Sequence, residues 1–229
     1  MTRYWCERAW LGPGQITEDV VVSVEGTHIV DVVSGGSLEG AIRLAGLTIP
    51  GLANCHSHSF QRALRGRTQR ERGTFWTWRE TMYGVAERLD PDSYYALAKA
   101  TYQEMALAGI TAVGEFHYLH HDRKGVAYDD PNAMGAAVIA AGVDAGLRVC
   151  LLDACYVSAG FGAEPAGVQR RFSDADADGW AARVGQLRAA DARVVSGSAI
   201  HSVRAVPRAQ LAAVAAARPE APLHTHLSE

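Results

Sequence analysis

The rhythm of apolar and polar positions changes twice along this chain. Over residues 3–46 it is that of short strands. Asp19-Val20-Val21-Val22-Ser23-Val24 is β-branched, Glu25-Gly26-Thr27-His28 has the composition of a turn, and Ile29-Val30-Asp31-Val32-Val33 resumes a strand that Gly35-Gly36 breaks. This predicts a small β module over 1–46, with His28 at a turn, whose apolar faces need a partner sheet. From Leu47 an apolar run passes through Pro50-Gly51 and ends in Asn54-Cys55-His56-Ser57-His58. The rhythm then turns helical. Phe75 to Leu89 reads as one helix, and Asp90-Pro91 as the N-cap and first position of the next. In that second helix Tyr94, Leu97, Ala98, Thr101, Tyr102 and Met105 recur with the period of one buried face, and Gly109 is a natural stop.

Beyond Gly109 strands and helices alternate. Strands are predicted over 110–116, 147–155, 193–200 and 222–227, and helices over 132–146, 174–190 and 207–217. Alternation at this length implies parallel strands joined by helical crossovers. With the run that begins at Leu47, five such strands fit 47–229. A closed (β/α)8 TIM barrel needs eight strands and typically about 250 residues. The expected fold is therefore α/β: an incomplete barrel of five strands over 47–229, preceded by the small β module. On this reading the chain is the amino-terminal portion of a larger enzyme. It shows no close repeat and no low-complexity linker.

Composition narrows the class. The 229 residues are 48% hydrophobic with a net charge of −3. A core of good size is affordable, and no basic excess exists to neutralise phosphates, which argues against a nucleic-acid partner. No apolar run reaches membrane-spanning length, and the first residues lack a basic stretch followed by an apolar one. The expectation is a cytoplasmic protein with no membrane partner. Cys6, Cys55, Cys150 and Cys155 form no Cys-x-x-Cys pair and read as reduced, buried thiols.

The candidate chemistry lies at strand ends. On a strand, His56 and His58 point to one face, close enough for both imidazoles to lean onto one ion. The carboxyl end of a barrel strand is where catalysis sits in this fold. The chain's last residues, His224-Thr225-His226-Leu227-Ser228-Glu229, offer two more histidines on a shared face. Glu229 lies an odd number of residues beyond both and reaches the same site only if the backbone turns there. Spacing alone does not choose between His224 and His226.

An apolar strand ending in His-x-His resembles the first barrel strand of the amidohydrolase superfamily, and the fifth-strand pattern of ligand histidine and glutamate resembles its metal-dependent deaminase branch. Within that branch the segments 54–63, 75–80, 115–121, 159–162 with 169–172, and 201–206 resemble the formimidoylglutamate deiminases. The resemblance runs over essentially the whole chain. It implies an amidohydrolase fold and hydrolytic deamination of N-formimidoyl-L-glutamate to N-formyl-L-glutamate and ammonia, a step of histidine breakdown. It implies that His56, His58 and His226 ligate one divalent ion, zinc or alternatively iron, and that Glu229 shuttles protons. It also implies that Gln61 bonds the formimidoyl group and that Arg79, Tyr118, His201 and Arg204 hold the carboxylates of a small dicarboxylate substrate. A homodimer is implied as well.

Plainer readings stand beside these. Arg79 can pair with Glu80 or Tyr83 on a helix surface, Arg204 can be a solvated loop residue, and Tyr118 can be core. His117, His120 and His121 read as loop structure, since adjacent side chains of an extended segment diverge. The glycine-rich stretch 156–172 is long enough to be a functional loop. The resemblance also requires a sixth-strand histidine, an eighth-strand aspartate and strands completing the β module, none of which this sequence contains. The alternatives are a deaminase acting on a purine-like ring and a non-catalytic fragment.

Overall fold

The structure, a computed structural model, describes residues 1–68, 73–189 and 191–227. It divides into two units, Met1–Gly51 and the chain from Leu52 onward.

The first unit is a four-stranded sheet in the order β3-β2-β1-β4, with β1 at Thr2–Gly12, β2 at Gln15–Glu25, β3 at His28–Ser34 and β4 at Ile42–Thr48. β1 and β2 form an antiparallel hairpin, and β4 runs parallel to β1. Cys6, Ala9 and Val20 form its small core, while every residue of β3 is exposed. The sequence reading starts the first barrel strand at Leu47. Instead Leu47 and Thr48 end β4, opposite Arg8 and Ala9. Pro50, with no N–H to give to a ladder, follows the end of this pairing, and the division falls after Gly51.

The second unit is a five-stranded, all-parallel sheet in sequential order: β5 (Leu52–Ser57), β6 (Ile110–His117), β7 (Arg148–Cys155), β8 (Val194–Ser202) and β9 (Leu223–His226). Its helices are α1 (Phe75–Ala86), α2 (Pro91–Leu107), α3 (Ala133–Asp144), α4 (Ala177–Val184) and α5 (Leu211–Ala217). Local sequence explains their starts. Thr74 and Thr77 form a reciprocal cap on α1, and Asp90 and Ser93 do the same for α2, with Pro91 at its first position. Gly109 adopts φ +84° just after α2, where a side chain would be strained. Tyr94, Ala98 and Tyr102 of α2 are fully buried in the main core.

A flat sheet of five strands would hold its edges about 19 Å apart, at about 4.8 Å per interval. Here imidazoles from the two edge strands touch, so the sheet curls as the first five strands of a (β/α)8 barrel. Among the described residues no helix is long and apolar enough to cross a membrane.

Three expectations are corrected. The helix expected from Asp174 begins at Ala177, because the Asp174 carboxylate is engaged by Arg183 and His121, and Asp176 serves as the cap. His117, expected as loop structure, ends strand β6; His120 and His121 lie in the loop beyond it as expected, and each buried ring there finds its own polar partner, the Ala154 carbonyl and Asp174. All four cysteines are free, but only Cys6 and Cys155 are buried. Cys150 is half-buried, and Cys55, on edge strand β5, is exposed.

Candidate metal centre and its cavity

β5 places His56 on one edge of the curled sheet, and His58 follows directly after it. β9 places His226 on the other edge. Their Nε2 atoms form a nearly equilateral triangle: His56 to His58 is 3.1 Å, and His226 lies 3.2 Å from each. Phe116 is the floor, stacked on His226 with ring centroids 4.2 Å apart and packed against both other rings. Its carbonyl fixes a tautomer. His58 Nδ1 lies 3.0 Å from that oxygen, which only accepts, so Nδ1 carries the proton. Neutral His58 then points a bare lone pair into the triangle. The ring is held neutral, with its pKa lowered to about 3, first by burial and then by the neighbouring His226. Burial, followed by nearby His224, lowers His56 too.

Were His56 and His226 to take the same tautomer, three inward lone pairs would repel unless something sat between them. Four nitrogens around zinc at 2.0–2.1 Å stand about 3.3–3.4 Å from one another. The observed triangle is close to three corners of that tetrahedron, and a carbonyl orienting the far nitrogen of a ligand imidazole is the usual support. The donor set therefore fits a divalent ion. His224 shares the inward face of β9 but stands outside the triangle.

Beside the triangle opens a cavity of about 380 Å³ whose lining includes His58, His226, Gln61, Arg79, Tyr118, His201 and Arg204. Gln61 Nε2 donates to the Tyr118 hydroxyl at 2.9 Å. Tyr118 and Phe116, two apart on one face, continue the inward row of β6. The Arg79 guanidinium, carried by α1, lies over the rings of Trp76 and Tyr83, 5.2 and 5.0 Å from their centroids. Arg204 Nη1 donates to the Ala159 carbonyl at 2.8 Å. The His201 ring packs edge-on against Tyr118, Tyr156 and His226. Glu229 lies outside the described residues.

A second polar cluster occupies the opposite face of the same strands. Asp153, opposite His117 in the β6–β7 ladder, accepts from Arg183 at 2.8 and 3.0 Å and from the Trp180 indole at 2.9 Å. Arg183 also holds Asp174 at 3.0 Å. Burial works to raise the Asp153 carboxyl, but the guanidinium overrides it and the net shift is downward. Burial also works against Asp174, and the His121 hydrogen bond, nearby His120 and Arg183 bring it to about 2. His117 and His120 are buried beside them and held neutral, at about 3 and about 4, chiefly by burial.

Residues 47–229 match the model of the amidohydrolase family. The chain belongs to the amidohydrolase family. Formimidoylglutamate deiminase of Pseudomonas aeruginosa is 38% identical over 237 residues, covering 100% of this chain and 52% of that protein. An 8-oxoguanine deaminase of the same organism is 32% identical over 73 residues, 32% of this chain and 16% of that protein. An amidohydrolase from Brucella melitensis superposes with a TM-score of 0.89 at 34% identity, covering 99% of this chain and 52% of its own. The chain spans about half the length of the curated deiminase that it matches end to end.

Within this amidohydrolase cavity the structure adds residues to which the sequence assigned no role. Phe116 makes the floor, and Tyr83, Tyr156 and Phe172 make walls. Strand alternation from Tyr118 reaches Phe116 and was the available signal. Nothing local marks Tyr83 or Tyr156, which meet across the fold.

Proposed function

We propose that the protein carrying this chain is a metal-dependent deaminase that hydrolyses N-formimidoyl-L-glutamate to N-formyl-L-glutamate and ammonia. The observation that carries this reading is one cavity holding both a three-imidazole triangle and two guanidinium groups, Arg79 and Arg204, with Gln61 between chemistry and recognition in kind. A dicarboxylate brings a full charge to each of the two arginines, which a neutral ring does not, and guanidinium takes carboxylate in a two-pronged bond. The 38% identity to a formimidoylglutamate deiminase supports the same substrate.

In this reading His56, His58 and His226 hold the ion, zinc in preference to iron. When bound it supplies a water acidified to near neutral pH. Gln61, kept in place by Tyr118, orients the formimidoyl group. Arg79, Arg204, Tyr118 and His201 fix the glutamate carboxylates. Glu229 takes a proton from the attacking water as its oxygen bonds to the formimidoyl carbon. It gives that proton to the imino nitrogen, and the proton left on the new hydroxyl follows to the same nitrogen as the carbonyl forms and the C–N bond breaks, so both protons of the water leave with ammonia.

Ammonia release by the zinc-loaded, full-length protein tests this. Turnover is expected with formimidoylglutamate and not with guanine. Release from guanine alone would sink the dicarboxylate reading and favour a ring deaminase.

A further inference from the structure

Residues Gly167–Phe172 form a short 3-10 turn beside the cavity, and Gln169 within it is buried. Gln169 Nε2 lies 3.1 Å from the Tyr83 hydroxyl and 3.1 Å from the Tyr156 hydroxyl. The other end of the amide fixes its orientation. The Ala166 backbone N–H meets Oε1 at 3.3 Å, and an N–H can only donate, so Nε2 must face the two phenols. Both amide protons are then given away, and both phenol oxygens are acceptors. Each phenol keeps its own O–H proton for another partner, and among the described residues no acceptor takes either one.

Both rings line the cavity. Tyr83 also lies beneath the Arg79 guanidinium, and Tyr156 packs on His201 at 4.9 Å between centroids. Burial, reinforced by Tyr83, pushes the Tyr156 hydroxyl up to about 12, so it stays protonated at neutral pH. Two residues on in the turn, wholly buried Arg171 donates to the carbonyls of Ala86 and Leu89, just where α1 ends. The same turn thus seats the helix that carries Arg79 and Tyr83.

We propose that Tyr83 and Tyr156 are further anion-recognition residues, donating O–H bonds to a carboxylate gripped by Arg79 or Arg204, and that Gln169 is the positioning residue that turns both protons into the cavity. This rests on the dicarboxylate reading above and extends it to three residues given no role there.

Glutarate, a dicarboxylate that cannot react, separates the two. Calorimetric titration of the full-length protein should show Tyr83→Phe and Tyr156→Phe each weakening glutarate roughly tenfold, the lower end expected for a hydrogen bond to a charged group. Gln169→Glu keeps the shape but accepts from both phenols, drawing their protons out of the cavity. It should weaken glutarate at least as much as either single change. In that background the Tyr→Phe changes should then add less than about twofold, as non-additivity of coupled groups requires. Undiminished Tyr→Phe penalties in the Gln169→Glu background would mean simple charge repulsion and overturn the positioning role. In turnover, KM for formimidoylglutamate should rise in step with the glutarate Kd and kcat should move less. Wild-type glutarate affinity in both Tyr→Phe variants overturns the inference whatever the turnover. Weakened glutarate binding in the variants, with no ammonia from formimidoylglutamate in the wild type, overturns the functional reading alone. A wild type that binds no glutarate overturns both.

Discussion

β6 carries two kinds of polar surroundings on its two faces. Inward, Phe116 and Tyr118 look onto His56, His58, His226 and an open cavity. Outward, His117 lies among His120, Asp153, Asp174 and Arg183, sealed between sheet and helices. Each side gathers three potential ligand atoms within 4.8 Å of one another. They differ in what has already been neutralised. Outside, Arg183 and Trp180 occupy both oxygens of Asp153, so a cation arriving there would meet a guanidinium already seated on the carboxylate it needs. Inside, the printed partners of the three ring nitrogens are one another and the Phe116 carbonyl, and the one tautomer the structure fixes aims a lone pair at the triangle's centre. A cluster of histidines and carboxylates is therefore no sign of a metal by itself; what each ligand atom already binds has to be read first.

The largest expected effect tests the inner face. His58→Ala in the full-length protein should lose both bound metal and ammonia release to below detection. Metal analysis showing full occupancy would remove the triangle from the proposal. The next tests the outer face. Arg183→Leu takes the guanidinium from two buried carboxylates and should destabilise the fold by about 3–5 kcal/mol in urea unfolding, because an uncompensated buried charge is the costly outcome. If the outer cluster were instead the metal site, this change would raise metal content. The smallest effect is a pH dependence. Asp174 has its carboxyl lowered to about 2 in the folded chain, so the stability it contributes is present above its ordinary value near 3.8 and is lost as pH falls from about 4 toward 2. The loss should be of order 2 kcal/mol at its limit. Arg183→Leu should make that stretch of the stability–pH curve shallower without abolishing it, since the His121 hydrogen bond remains; an unchanged slope would show that Arg183 takes no part.

The barrel strands and the order of their crossovers were legible because each follows from short-range rhythm and from caps such as Asp90-Pro91. Boundaries failed where distant partners intervened. Asp174 reads as a helix start until Arg183, nine residues on, takes its carboxylate. His117 reads as loop together with His120 and His121, but the pairing with β7 extends β6 to His117, and only the other two lie beyond it. His-x-His was legible as a pair, but the choice of His226 over His224 needed the family resemblance, since both lie on one face of β9. Gln169 stood in plain view in a segment that resembled the family, yet its two phenol partners are 86 and 13 residues away in sequence.

The triangle draws its corners from the first and last strands of the sheet, with 168 residues separating His58 from His226. On a ribosome adding about 5–20 residues per second, the first two imidazoles emerge some 8–34 s before the third. Three-point coordination cannot exist in that interval, nor before four successive strand pairings have brought the edges round. On the proposed metal reading, capture of the ion waits for β9, and its rate after refolding should report the arrival of that strand and nothing earlier.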